Sequence, residues 1–85
     1  MAAHEVSDRS IVVETTDGRE IRITARRNLG TGEYASEYER RSVIRNGEKE
    51  FTVWALTPAY KKCITDDVTS CLEAAVLEVD RTRLY

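Results

Sequence analysis

Two short stretches restrict the fold of this chain more than anything else in it. They are Asp17-Gly18 within SIVVETTDGREIRITAR and Asn46-Gly47 within YASEYERRSVIRNGEKEFTVWAL. Each is a turn-forming pair set between runs rich in β-branched and aromatic residues, which is the pattern of an antiparallel hairpin. In the first, a two-residue loop would set Val13 opposite Arg22 and Glu14 opposite Ile21, mixing charge with apolar groups on both faces. A three-residue loop, Thr16-Asp17-Gly18, sets Val13 opposite Ile21 and Ile11 opposite Ile23. It leaves Val12, Glu14, Arg22 and Thr24 on the other face. A one-residue slip turns every apolar side chain outward, so the three-residue loop is expected, with Gly18 as its left-handed residue.

For the second hairpin, a tight turn made by Asn46-Gly47 sets Ser42 opposite Phe51, Arg40 opposite Val53 and Tyr38 opposite Ala55. Tyr38, Ile44, Phe51, Val53 and Ala55 then share one face. Glu39, Arg41, Val43, Thr52, Trp54 and Leu56 share the other. The hairpins are joined by RNLGTGE, which reads as a loop.

The C-terminal third changes period. Val68, Cys71, Leu72, Ala75, Val76 and Val79 recur at helical spacing and predict an amphipathic helix. It is expected to start near Thr65, with Asp66 and Asp67 in its first turn, where carboxylates suit the helix dipole, and to be closed by Arg81 and Arg83. Thr57 before Pro58 predicts one preceding helical turn. The expected architecture is therefore α+β: a four-stranded antiparallel sheet of two β-hairpins with one C-terminal helix on one face, ββββα. Residues 1–9 show no periodicity and are expected to form a flexible arm before a single domain over 10–85. The predicted core is Ile11, Val13, Ile21, Ile23, Phe51 and Val53 against the helix stripe.

One helix covers one sheet face, so the other is expected to stay open. It would carry Arg22, Thr24, Arg26, Glu39, Arg41, Thr52 and Trp54. Tryptophan among arginines is the composition of recognition hot spots, and Trp54, Arg22, Arg26, Arg41, Thr52 and Glu39 are the expected partner-binding residues. The plainer reading makes Trp54 ordinary cover over Val43 and the arginine stems. On the far side of the helix, Ala74, Leu77 and Leu84 recur at helical spacing and suggest a homodimer seam, against the plainer reading of one tolerated exposed leucine.

Chemistry is not expected. His4 is the only histidine, and Cys63 and Cys71 are the only cysteines, eight apart. A tetrahedral zinc site needs more ligands, and a histidine-assisted nucleophile would need a second well-placed group. Asp66 and Asp67 are explained by helix capping. Gly30 and Gly32 are not followed by the Lys-Ser/Thr and helix of a phosphate loop. No catalytic residue, metal or cofactor is therefore expected.

Arg26-Arg27, Arg40-Arg41 and Lys61-Lys62 could grip phosphates, but the net charge of −2 argues against a general nucleic-acid binder. The start, MAAHEVSDRS, lacks the pattern of a signal peptide, and no run is long enough to span a membrane, so a cytoplasmic location is expected. The expected function is a small non-catalytic protein-binding module acting by surface contact. In size and layout it resembles phage-encoded inhibitors of bacterial defence systems, anti-CRISPR proteins among them. The alternative is a small nucleic-acid-binding module that uses the open sheet face.

Overall fold

The computed structural model describes residues 2–7 and 9–82, with side chains from residue 9 onward. Six strands precede one helix: β1 (Ala2–Ser7), β2 (Ser10–Glu14), β3 (Glu20–Arg27), β4 (Tyr34–Asn46), β5 (Lys49–Leu56), β6 (Ile64–Thr65) and α1 (Val68–Arg81). Strands β2 to β5 and α1 are the expected ββββα layout. The sheet is antiparallel in the order β1-β2-β3-β4-β5, and β6 adds to the free side of β4. Ala2–Ser7, where the sequence suggested no element, pairs with β2, with Ala3 opposite Val13 and Glu5 opposite Ile11.

The first hairpin has the expected register, with Val13 opposite Ile21 and Ile11 opposite Ile23. The Thr15 N–H donates to Arg19 O (2.8 Å) and the Gly18 N–H to Thr15 O (3.0 Å), closing a three-residue loop. Gly18 sits at φ +87°, where a side chain would be strained.

The second hairpin turns two positions from the expected pairing. Asn46 lies opposite Lys49, Ile44 opposite Phe51 and Ser42 opposite Val53. The turn residues are Gly47 and Glu48. Gly47 has φ +64°, and no non-glycine residue among those described has positive φ. That matches a turn with glycine first, whereas the expected Asn46-Gly47 turn of type I′ would hold asparagine at positive φ as well. A shift of two keeps every side chain on its expected face, because the strand period is two.

The core lies under α1 and is made by Val13, Ile21, Ile23, Ala25, Tyr38, Tyr60, Cys71, Leu72, Ala75 and Val79, with Ile11, Tyr34, Val68 and Val76 at its margin. Val13 and Ile23 are fully enclosed. Phe51 and Val53 do not belong to it. Phe51 is 48 % exposed and its neighbour Ile44 52 %, and Val53 is half-buried. The reason is length. Strand β3 reaches only as far as Ile21 opposite Arg40 and Glu20 beyond it, whereas β4 runs on to Asn46. The helix packs on β2, β3 and β4, so Ser42–Asn46 and Lys49–Val53 project past the layered part as a two-stranded ribbon. The aromatic part of the core is Tyr38 against Tyr60, their ring centroids 5.2 Å apart.

Helix α1 begins later than expected. Its N-cap is Asp67, whose Oδ1 accepts from the Ser70 N–H (2.8 Å) and Oδ2 from the Ser70 hydroxyl (2.8 Å). The Ser70 N–H holds the Asp67 carboxyl below its ordinary pKa. Thr65, expected at the helix start, pairs with Tyr34 instead, and Ile64 before it pairs with Ala35. Residues 57–60 form no helical turn: 57 and 58 are irregular and 59 and 60 a bend. The Thr57 hydroxyl accepts from the Ala59 N–H (3.3 Å), the local bonding by which Ser and Thr compete with helix. Arg81 lies in the last turn, and Arg83 is outside the described residues.

The crossover from β5 to α1 is pinned by a chain of polar contacts on β4. The Cys63 N–H donates to the Ser36 hydroxyl (2.7 Å), which donates to the Tyr38 hydroxyl (3.0 Å), which donates to Lys61 O (2.8 Å). The Ser36 N–H also donates to Cys63 O (2.9 Å). Ser36 and Tyr38 are buried at 1 % and 4 % exposure, and burial pushes the Tyr38 phenol well above its ordinary pKa. On the helix, Glu78 Oε1 accepts from the Lys61 N–H (3.4 Å).

Removing the middle hydroxyl takes one hydrogen-bond partner from both the buried Ser36 hydroxyl and Lys61 O. Tyr38→Phe is expected to lower unfolding stability in urea by about 1–3 kcal/mol. An unchanged midpoint would show that the chain of hydroxyls does not hold the crossover. The two thiols differ in the same way. Cys71 is fully enclosed, with its thiol aimed at Cys63 O (3.5 Å) and its pKa raised by burial, whereas Cys63 is half-buried. Under native conditions a thiol reagent is expected to modify Cys63 first, and equal rates would contradict this packing.

Candidate functional site

The open face is built by alternate residues of β2 to β5. Register sets Arg22 opposite Glu39, and Glu39 opposite Leu56 on its other side. One step along, Arg41 faces Trp54, and then Val43 faces Thr52. These side chains point away from α1, as the alternation in the sequence required.

Arg22 organises the centre. Its Nε donates to Glu39 Oε1 (2.9 Å), Nη2 lies at the same distance from that oxygen, and its guanidinium carbon stands 4.8 Å from the centre of the Trp54 ring. The ring therefore reaches across β4 to β3 and lies half-buried under a cation that is itself held by a carboxylate. A fixed guanidinium over an indole is a favourable cation–π geometry. Val43 (48 % exposed) and Leu56 (66 % exposed) border the ring, so the patch is an aromatic plate with an aliphatic rim.

The arginines of this face are paired. Besides Arg22–Glu39, Arg41 meets Glu20 (3.4 Å), Arg26 meets Glu37 (2.8 Å) and Arg45 meets Glu50 (2.9 Å). Four cations are matched by four anions across neighbouring strands. Of the expected binding residues, Arg22, Glu39, Arg41, Thr52 and Trp54 lie together. Arg26 lies four residues along β3 from Arg22 and forms a separate pair. Glu20 and Glu37 were not among the expected binding residues, and their role rests on cross-strand register. Val12 lies on this face, as its alternation with Val13 required, yet is only 8 % exposed.

The other expected features separate. Consecutive strand residues point to opposite faces, so Arg26 and Arg27 part company, as do Arg40 and Arg41. No shared cationic grip forms there. On the outer side of α1, Leu77 is 65 % exposed and Ala74 half-buried. Leu84 lies outside the described residues, as does the side chain of His4. No family model, curated protein or solved structure matches this chain.

The Arg22–Trp54 contact is open to direct measurement. A double-mutant cycle with Arg22→Ala and Trp54→Phe is expected to give a coupling of roughly 0.5–1 kcal/mol, the size of a partly exposed cation–π pair. Arg22→Ala alone is expected to shift the tryptophan emission to longer wavelength as water replaces the guanidinium. Zero coupling with unchanged emission would mean that the stacked arrangement is not populated.

Proposed function

We propose that the protein acts by surface contact, presenting the open sheet face around Trp54 to a protein partner and performing no chemistry of its own. The observation that carries this reading is the pairing of charge around the indole. Arg22, Arg41, Arg26 and Arg45 each have a glutamate partner. Phosphate recognition needs cations that are free to replace counterions. A face whose cations are already matched, with an aromatic plate and aliphatic rim at its centre, suits the mixed surface of another protein. Arg22 and Glu39 also hold the ring in place before contact, which reduces the ordering cost of binding. A stand-alone inhibitor of the phage-encoded kind is the form of this reading in which the partner is a protein of a bacterial defence system.

The test compares the wild type with Trp54→Ala. The substitution removes no residue of the core under α1, so the circular dichroism spectrum and the melting transition should stay close to wild type. Capture of a defined protein from lysate by the immobilised wild type should weaken by about 2 kcal/mol or more in the variant, a hot-spot loss. Tight binding of a random-sequence oligonucleotide, falling steeply with salt, would instead favour the nucleic-acid reading. Loss of the fold in Trp54→Ala would make the ring a structural element.

A further inference from the structure

The helix side of the sheet carries two apolar surfaces that no described side chain covers. The first is the ribbon formed by Ser42–Asn46 and Lys49–Val53, whose helix-side face presents Ile44, Phe51 and Val53. Ile44 and Phe51 are about half exposed. A lone two-stranded ribbon is marginal in water, and this one has an apolar side with no layer over it. Its opposite side carries Val43, Thr52 and the Arg45–Glu50 pair. The second surface is a groove between α1 and β2, lined by Ile11, Leu72, Val76 and Leu77 with Glu73 at its rim.

Charge relates the two. On the ribbon the apolar centre is bracketed by Arg40 at one end and Lys49 at the other, both on the helix-side face by register. On α1, Leu77 is bracketed by Glu73 one turn before it and Asp80 one turn after it, and these three share a ridge. None of Arg40, Lys49, Glu73 and Asp80 has an ion-pair partner among the described residues. One surface is apolar between two cations; the other is apolar between two anions.

From this complementarity we infer that the occupant of each surface is a second copy of this chain: the ribbon of one protomer lies on the α1 ridge and groove of its partner, and the partner's ribbon does the same in return. Each copy carries one ribbon and one groove, so a two-fold pair fills all four surfaces and closes, whereas a one-way contact would leave ends free to propagate. Both surfaces are on the helix side, so the two protomers meet helix side to helix side. The Trp54 faces point outward and remain free, and this inference stands apart from the partner proposed for them.

Sedimentation of the full chain in low salt tests the arrangement. The wild type is expected to be dimeric in the micromolar range, and a monomer there would overturn the proposal. Phe51→Glu and Leu77→Glu should each raise the dimer dissociation constant roughly 30-fold or more, a hot-spot loss, with circular dichroism unchanged because both residues are exposed. A Phe51→Glu monomer beside a Leu77→Glu dimer would overturn it in favour of pairing between β5 edges. The decisive comparison reverses charge. Arg40→Glu with Lys49→Glu gives a chain with an acidic ribbon, and Glu73→Lys with Asp80→Lys gives one with a basic ridge. Each alone should be monomeric. Mixed one to one they should form a heterodimer, because both ribbon–ridge contacts then join opposite charges. Failure of the mixture to associate would overturn the proposed contact.

Discussion

The constraint on which the rest depends is a mismatch of lengths. Strand β4 has thirteen residues and α1 fourteen. At roughly 3.3 Å per residue for a strand and 1.5 Å for a helix, β4 is about twice as long as the helix that packs on it. A single helix therefore makes a closed core on part of the sheet only. Where it lies, Ile21, Ile23 and Ala25 of β3 are sealed. Where it stops, the same alternation of side chains continues with nothing above it. Ile44 and Phe51 are apolar for the same reason as Ile21 and Ile23, and differ from them only in what covers them.

The crossover from β5 shows how the covered part is kept. Residues 57–63 have little regular structure of their own. Their main chain is tied down by Ser36 and Tyr38, two polar side chains set among the apolar ones of β4. Buried hydroxyls are costly alone, but here each one both donates and accepts. Tyr38 contributes in two ways, through its ring against Tyr60 and through its oxygen to Lys61. The site that an aliphatic core would have closed by packing alone is closed by direction as well.

Much of this was legible from particular residues. Asp17-Gly18 and the segregation of Ile11, Val13, Ile21 and Ile23 specified the first hairpin down to its pairing. The stripe from Val68 to Val79 specified the helix face. Alternation placed Trp54, Arg22, Glu39, Arg41 and Thr52 on one side. What stayed hidden depended on distances along the fold. Phe51 and Val53 carry a core pattern, and no local signal says that the helix ends before reaching them. The turn at Gly47 and Glu48 differs from one at Asn46 and Gly47 by a shift that leaves both faces unchanged, so patterning could not separate them. Ile64 and Thr65 follow β4 in space through Ser36 and Cys63, a contact across 27 positions of sequence. The glutamates that neutralise the open face became partners only through register.

That neutralisation also governs how an encounter with the open face would begin. Paired charges on neighbouring strands cancel within a few ångströms, and little field extends beyond the Debye length into solution. A molecule approaching Trp54 is therefore neither drawn in nor oriented from afar. Association without such steering proceeds at about 10⁵–10⁶ M⁻¹s⁻¹ and changes little with ionic strength. For the proposed partner, discrimination would then fall to the bound state, in how long the indole and its aliphatic rim stay seated once found, and selectivity would be set by residence time and not by capture rate.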